Sequence, residues 1–258
     1  MSDVSAATRP ARAESGWLPY VAPYLGFLLI TELQARPLGE GSLVLWLLRV
    51  AVPAGLLVYF FRRGAFPELR GFRPTLAGVS VDVLLGIAIA GLWILPFETG
   101  WLPKPDALSR FDPDQLGASM RDVVLGLRLV GFVAVTPFVE ELFVRSFLIR
   151  AAELIRFSRR GLDVDFETDF RDLPVARFAW RGFVATLLLF TFSHLEWQWP
   201  VAFVTGLVWN LWLYHRGHIL PLVISHAVAN LTIFLLTVLG SGQLEDAQGR
   251  LLDLWYQL

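Results

Sequence analysis

Residues 131–149 read GFVAVTPFVEELFVRSFLI, and this run places two adjacent carboxylates inside a long apolar segment. Ionisable side chains at membrane depth are costly, and they usually serve a function or pair with one another. Residues four apart on a helix lie on nearly the same face, so the spacing predicts an ion pair between Glu141 and Arg145. Glu140 then points about 100° away and is free to face the interior of a helical bundle.

The composition around this run is that of a membrane protein. Of the 258 residues, 55% are hydrophobic and only 17% are charged, whereas ordinary soluble domains carry about 25% charged residues. The apolar residues form blocks close to the length of about 20 residues that a spanning helix needs. We predict seven such segments, at about 17–33, 43–61, 76–97, 122–155, 178–196, 199–214 and 219–239. The predicted fold class is all-α, a polytopic bundle of seven or eight transmembrane helices around a polar intramembrane cavity.

The polar residues between the segments divide the chain and predict its orientation. Residues 1–16 predict a disordered cytosolic tail, residues 17–239 the transmembrane domain, and residues 240–258 an amphiphilic tail that we expect on the membrane surface. Arginines concentrate in the second and fourth loops, and basic loops face the cytoplasm. We therefore predict an integral protein of the bacterial inner (cytoplasmic) membrane with a cytoplasmic N-terminus.

Several function classes are excluded or disfavoured. The net charge of −1 gives no indication of a nucleic-acid partner. The absence of cysteine excludes disulfides, thiol catalysis and thiolate metal ligands. No His-Glu-x-x-His zinc motif, Gly-x-Ser-x-Gly elbow or phosphate-binding glycine loop occurs in the chain.

Two further features bear on the bundle. Arg49, Asp82 and Arg128 are charges at membrane depth, and we expect them to pair with one another. The fourth segment would be roughly 50 Å long if it were one helix, which is too long for a single straight span. We expect a kink at Pro137, with part of the C-terminal half outside the bilayer.

Two other apolar segments carry imidazoles and an amide. His226 and Asn230 share a face of segment seven, and Phe190 and His194 stand in the same relation near the end of segment five. Neutral imidazole can bind or deprotonate water, and an asparagine amide can donate to a developing oxyanion. Taken singly, each residue is as compatible with hydrogen bonds between packed helices, and the glutamates with a position at the interface. Three separate segments that each supply such a residue favour a site that activates water.

The ordered motifs Glu-Glu-x-x-x-Arg, Phe-x-x-x-His and His-x-x-x-Asn resemble those of the CAAX protease and bacteriocin-processing family, which includes the CAAX prenyl endopeptidases and Abi-type proteins. The resemblance covers about residues 121–239. In size and layout the chain is also similar to the branch associated with exosortase and PEP-CTERM sorting. The resemblance implies an intramembrane endopeptidase that acts on a membrane protein or a lipidated peptide in the lipid bilayer.

The resemblance also implies roles for the residues. Glu140 would activate water with the assistance of His194, and His226 and Asn230 would stabilise the tetrahedral oxyanion. The supporting residues would be Glu141, Arg145 and Phe190. No cofactor is favoured, although Glu140, His194 and His226 have the residue types that could bind one zinc ion, with water as the fourth ligand.

Two functions of other classes stay open at this stage. The same fold could serve a non-catalytic immunity or peptide-binding protein. Such a protein would not need to keep the polar residues Glu140, His194, His226 and Asn230. Intramembrane acids and histidines also serve proton-coupled transporters. Inverted repeats with broken helices would favour transport, and the sequence contains no convincing repeat. The sequence does not specify the substrate, the cleavage site or the oligomeric state.

Overall fold

The structure is a computed structural model that describes residues 16–36, 42–106, 110–158, 161–165, 168–245 and 249–258. Nearly all of the tail expected at residues 1–16 lies outside these ranges. The described residues form seven helices, α1 to α7, at Leu18–Gln34, Leu43–Arg62, Leu76–Glu98, Ala118–Leu154, Trp180–Phe192, Trp199–Arg216 and Leu220–Gly240. Each helix coincides with a predicted segment to within a few residues, and the all-α class is confirmed.

Local sequence explains where several helices begin and end. The hydroxyl of Ser42 accepts a hydrogen bond from the backbone N–H of Leu45, and Thr75 accepts one from Gly78, so α2 and α3 both start at capped residues. Helix α6 ends at Gly217, which has a φ of 67°. Glycine is suited to this left-handed position because it has no Cβ.

Four of the seven described helices, α2, α3, α4 and α7, are long and apolar enough to cross a membrane. Helix α1 has 17 residues and α5 has 13, while α6 reaches 18 residues but carries polar side chains such as Asn210 and His215. The polytopic character is therefore confirmed. The predicted number of seven or eight corresponds to seven described helices, of which four meet the criterion for a spanning helix.

Helix α4 is continuous over its 37 residues but is not uniformly α-helical. The short α-helical stretch Thr136–Glu140 has π-helical turns on both sides, at Val130–Val135 and Glu141–Leu148. The expected irregularity near Pro137 is thus present as two π-helical turns. Beyond α4 the chain forms two short antiparallel strands, β1 (Ile155–Ser158) and β2 (Gly161–Val164), which the sequence analysis did not predict.

Two glycines allow backbones to approach closely. A Cβ on Gly86 of α3 would lie 2.4 Å from the carbonyl oxygen of Ser225 in α7, and one on Gly182 of α5 would lie 2.1 Å from that of Ile149 in α4. Neither distance is compatible with a larger residue in this backbone. The glycines therefore hold α7 against α3 and α5 against α4.

The remaining core is built by apolar side chains from the same helices. The cluster that joins α3, α5, α6 and α7 includes Ile89, Phe190, Trp209 and Leu222, all nearly inaccessible to solvent. Within a bilayer such side chains stabilise the bundle through close packing, because the lipid tails are as apolar as the side chains themselves. This cluster lies next to the polar site that is described below.

Asp82 of α3 pairs with a different arginine from those expected. Its carboxylate lies 3.1 Å from Nη2 of Arg216 at the end of α6 and accepts a hydrogen bond of 2.9 Å from the indole of Trp212. The expected pairing with Arg49 or Arg128 is wrong, because those arginines lie on other helices toward the opposite end of the bundle. Asp82 therefore fastens the start of α3 to the end of α6.

The segment after α7 folds back onto the bundle instead of remaining on the surface. Leu254, Tyr256 and Gln257 are buried. The Tyr256 hydroxyl donates to Glu98 over 2.7 Å, and the Gln257 amide donates to the carbonyl of Trp93 over 2.8 Å. The surface position expected for residues 240–258 thus does not describe the end of this segment, because its aromatic and aliphatic side chains pack on α3 and α7.

Candidate active site

A cavity of about 280 Å³ lies between α3, α4, α5, α6 and α7. Four residues that the sequence singled out line its wall, namely Glu140, His194, His226 and Asn230, and Phe190 lines it as well. The structure therefore brings together side chains from three helical segments that are far apart in the sequence. Most of the Glu140 side chain is covered, but 19% of it is exposed to this cavity.

Helix α4 directs the two adjacent glutamates to different places. Glu140 is the last residue of the α-helical stretch and faces the cavity, whereas Glu141 begins the second π-helical turn and is fully buried behind the wall. π-Helical turns are rare and often occur at functional sites. The arrangement makes one carboxylate available to a ligand and keeps the other as part of the protein interior.

Glu141 holds two partners at once. Its Oε1 atom accepts a hydrogen bond of 3.1 Å from Nη1 of Arg145, as the spacing predicted, and lies 2.9 Å from Nδ1 of His226. The second contact was not predicted, because it joins α4 to α7. The carboxylate acts as acceptor at Nδ1, so this nitrogen carries a proton and the Nε2 atom faces away from Glu141.

Arg145 is fully buried, and aromatic rings provide much of its surroundings. Its guanidinium lies 4.2 Å from the ring centre of Phe190 and 5.5 Å from that of Trp209, and its Nε atom contacts Oδ1 of Asn210 at 3.4 Å. Cation–π contacts favour a desolvated arginine. Phe190, predicted to support the site, therefore contacts both the cavity and the cation behind it.

Glu140 and His226 face each other across a short gap. The Oε2 atom of Glu140 lies 4.0 Å from Nε2 of His226, which is too long for a direct hydrogen bond. Polar atoms at such a separation on a cavity wall are commonly bridged by a water molecule. A bridging water could donate one of its hydrogens to Oε2 of Glu140 and the other to Nε2 of His226.

His194 and Asn230 complete the polar wall. The Nδ1 atom of His194 lies 2.6 Å from the carbonyl oxygen of Phe190, so this nitrogen is the donor and Nε2 is left for other partners. One amide N–H of Asn230 donates to the carbonyl of Phe132 over 2.6 Å. The second N–H of the same amide has no partner within the described residues and remains available to a ligand.

The three residues with zinc-binding side chains do not form a metal site as they are placed. Glu140, His194 and His226 line one cavity, but the described residues contain no group of three or more His, Asp or Glu side chains close enough together to hold a metal ion. A catalytic zinc needs three protein ligands at about 2.0–2.2 Å from one point. The observed arrangement does not fit this requirement.

The cavity includes residues that the sequence analysis left unassigned. Arg49 of α2 and Arg128 of α4 line it, and so do three residues of the C-terminal segment, Tyr256 to Leu258. Their charges at membrane depth were the signal that could have identified the two arginines. Nothing in the sequence indicated that a segment beyond the last helix would return to the site.

The cavity lies toward one end of the bundle. From Glu140 and His226 it extends to Leu195 and Gln198, in the connection between α5 and α6. The connections after α2 and after α4, which are the richest in arginine, join the helices at the other end. The site is therefore reached from the end that has fewer basic residues.

Comparison with known proteins identifies a related family. Residues 122–232 match the family model described as type II CAAX prenyl endopeptidase Rce1-like. The matched segment contains Glu140, Glu141, Arg145, His194, His226 and Asn230. No curated protein and no solved structure matches the chain.

Proposed function

We propose that the protein is an intramembrane endopeptidase that hydrolyses a peptide bond in a lipidated or C-terminally sorted membrane protein. The match of residues 122–232 to the family model of Rce1-like type II CAAX prenyl endopeptidases supports this proposal. This similarity supports, at the level of the family, a CAAX-type intramembrane protease. The observation that carries the more specific proposal is the 4.0 Å separation between Glu140 Oε2 and His226 Nε2 on the wall of one cavity.

In the proposed reaction, Glu140 is the general base. A water held between Glu140 and His226 attacks the carbonyl carbon of the scissile bond and gives its proton to Glu140. The carbonyl π electrons move to oxygen and form a tetrahedral oxyanion. When this intermediate collapses, the C–N bond breaks, and the proton on Glu140 passes to the departing amine. Glu140 is then ionised again, and one water has been consumed.

The other residues orient these groups and stabilise charge. The Glu141 carboxylate keeps the Nδ1 proton of His226 in place, so Nε2 accepts a hydrogen bond from the attacking water and fixes its direction. The free N–H of Asn230 donates to the oxyanion. These roles differ from those implied by the resemblance, in which His226 was a donor, because a neutral His226 with its proton on Nδ1 has no donor at Nε2.

His194 is the second imidazole that could assist Glu140 in the proposed reaction. Its Nδ1 proton is held by the carbonyl of Phe190, and its ring lies between Phe190 and Trp93 with centre distances of 4.7 and 5.3 Å. These contacts fix the ring plane. We propose that His194 assists Glu140 from the wall of the same cavity, where its Nε2 is available to accept a hydrogen bond from the departing amine.

Loss of the Glu140 carboxylate tests this proposal. The protein, purified in detergent, is incubated with a prenylated peptide, and the products are identified by mass spectrometry. We expect Glu140→Gln to reduce turnover at least about 100-fold, the usual contribution of a general base, while the thermal unfolding midpoint stays unchanged. Glu32→Gln, at an exposed carboxylate of α1, is the matched control and should retain full activity. Full turnover by folded Glu140→Gln protein would remove Glu140 from the mechanism.

A second measurement tests the choice of a metal-free mechanism. Because the donor set does not fit a three-ligand zinc site, we expect turnover to survive prolonged incubation with a strong chelator. Loss of turnover that added zinc restores would instead show that the enzyme needs zinc, and Glu140, His194 and His226 would then be the candidate ligands.

A further inference from the structure

The cavity is small for the substrate of the proposed reaction. Its volume is about 280 Å³. Sites that bind drug-sized molecules have volumes of roughly 300–1,000 Å³. A peptide that extends on both sides of a scissile bond is larger than such a molecule. Part of the cavity wall must therefore move before a peptide bond can lie beside Glu140.

One element of the cavity wall is held differently from the rest. The wall consists mostly of helices, which buried apolar side chains and two close-approach glycines hold together. The exception is the C-terminal segment, residues 249–258, whose helical structure is a single turn at Trp255–Gln257. Three residues of this segment line the cavity, namely Tyr256, Gln257 and Leu258. Such a segment can move without breaking the backbone hydrogen bonds of a long helix.

A small set of contacts holds the segment against the bundle near the site. The Tyr256 hydroxyl donates to Glu98 over 2.7 Å, and the Gln257 amide donates to the carbonyl of Trp93 over 2.8 Å. Both partners lie on α3, and Leu254 is buried in a cluster of apolar side chains from α3 and α7. The segment therefore covers one side of the cavity through side-chain contacts that can separate together.

The closed position of the segment is incompletely satisfied. The Oε1 atom of Gln257 and the indole Nε1 atom of Trp197 are buried without a hydrogen-bond partner among the described residues. Buried polar atoms without partners destabilise the conformation that contains them. At the edge of the segment, Arg110 and Asp253 form an ion pair of 2.7 Å that is partly exposed, and such pairs contribute little to stability. Displacement of the segment is therefore less costly than separation of packed helices.

We propose that residues 249–258 form a gate, which closes the cavity in this structure and moves away from α3 to admit the substrate. This inference rests on the proposed peptidase function and names the element that controls access to its site. The ring of Tyr256 lies 5.7 Å from that of Trp197, in the connection between α5 and α6 that the cavity reaches. Movement of the gate would consequently open the cavity at the end of the bundle that has fewer basic residues.

A disulfide that tethers the gate tests this proposal. The chain contains no cysteine, so one disulfide can be introduced without competing thiols. The backbone N–H of Phe111 donates to the carbonyl of Trp255 over 3.1 Å, which brings these residues close enough for the pair Phe111→Cys/Trp255→Cys. We expect oxidation to reduce turnover of a prenylated peptide at least about 10-fold, because the open form is no longer populated, and a reductant to restore it.

A second disulfide provides the matched control. Glu245 and Leu251 form an isolated antiparallel bridge before the gate residues that line the cavity, and both are exposed. The pair Glu245→Cys/Leu251→Cys does not join the gate to the connection between α3 and α4, so its turnover should be the same in both oxidation states. Equal turnover of the oxidised and reduced tether at Phe111 and Trp255 would overturn the proposal.

Thiol labelling reports movement of the gate without catalysis. Leu254 in the gate and Leu222 in α7 are both buried, and each is replaced by cysteine in the Glu140→Gln background. We expect a maleimide to label Leu254→Cys at least about 10-fold faster than Leu222→Cys, because local opening exposes only the first. Added prenylated peptide should increase this difference.

The labelling rates also separate the gate from the peptidase. Equal rates at the two positions, with and without peptide, would show that access requires the helices themselves to separate, and would overturn the gate. Faster labelling of Leu254→Cys in a protein whose Glu140 form cleaves no peptide would reject the peptidase and keep the gate. Cleavage by a protein with equal labelling rates would do the reverse.

Discussion

Replacement of Glu141 by glutamine separates the stabilising role of this carboxylate from its effect on His226. In the structure Glu141 and Arg145 are both fully buried, their charged atoms are 3.1 Å apart, and Glu141 also contacts Nδ1 of His226 at 2.9 Å. Glu141→Gln keeps the shape of the side chain but leaves the Arg145 guanidinium without a fully buried counter-ion. Removal of one partner of a buried ion pair costs about 3–5 kcal/mol.

The double variant Glu141→Gln/Arg145→Met should recover most of this loss. Methionine keeps a flexible apolar chain against the rings of Phe190 and Trp209 but carries no charge to be left unpaired, and such replacements are often neutral or stabilising. Activity should not recover with stability. A glutamine amide can also donate a hydrogen bond to Nδ1, which would place the His226 proton on Nε2 and remove the acceptor for the attacking water.

The assay compares unfolding in detergent with peptide turnover for the wild type, the single variant and the double variant. We expect the double variant to regain most of the wild-type free energy of unfolding and to remain roughly 10- to 10,000-fold less active, the range found when a histidine loses its orienting carboxylate. The exposed pair Arg36–Glu32 supplies the control, because Glu32→Gln should cost at most about 1 kcal/mol. A double variant that regains both stability and activity would show that Glu141 serves only to neutralise Arg145.

Three further predictions concern packing, charge and access. Gly182→Ala should destabilise the protein by about 1–3 kcal/mol, because its Cβ would meet a carbonyl oxygen at 2.1 Å. The control variant Gly55→Ala should not destabilise it, because no atom lies within 4 Å of the new Cβ. Chemical denaturation of the two variants measures the difference. Asp82→Asn should lower the thermal unfolding midpoint, because it removes the buried carboxylate and leaves Arg216 without its counter-ion, and an unchanged midpoint would contradict this. Since the chain contains no cysteine, single-cysteine variants can report access: a membrane-impermeant thiol reagent added to intact cells should label Leu195→Cys at the cavity end and not Arg73→Cys, and the reverse pattern would invert the predicted orientation.

The sequence was sufficient to predict the helices and five residues of the cavity wall, which are Glu140, Phe190, His194, His226 and Asn230. Long apolar runs are a strong signal because a spanning helix must satisfy its own backbone hydrogen bonds, so the seven predicted segments agree closely with the seven described helices. The ion pair between Glu141 and Arg145 could also be predicted, because the two residues lie four apart on one helix. Local periodicity determines contacts of this kind.

The contacts that could not be predicted join residues that are distant in the sequence. The bond between Glu141 and His226 spans 85 residues, and Asp82 pairs with an arginine 134 residues away. Such partners depend on how helices pack, and no periodicity encodes that. The position of Tyr256 and Gln257 at the cavity could not be predicted either. An amphiphilic segment can pack its apolar side chains at a membrane interface as well as on the helical bundle.

The adjacency of the two glutamates has a mechanical consequence for the site. Glu140 faces the cavity, and Glu141, one residue later and about 100° around the helix, contacts the imidazole on α7 that Glu140 faces. A shift of α4 relative to α7 would therefore move the base and the group that orients its partner by nearly the same amount. The 4.0 Å gap between Glu140 and His226 would consequently change if α4 moved against α7, and it persists only in movements in which the contact between Glu141 and His226 keeps the two helices together. Two carboxylates on different helices could not maintain the gap in this way, because each would move with its own helix.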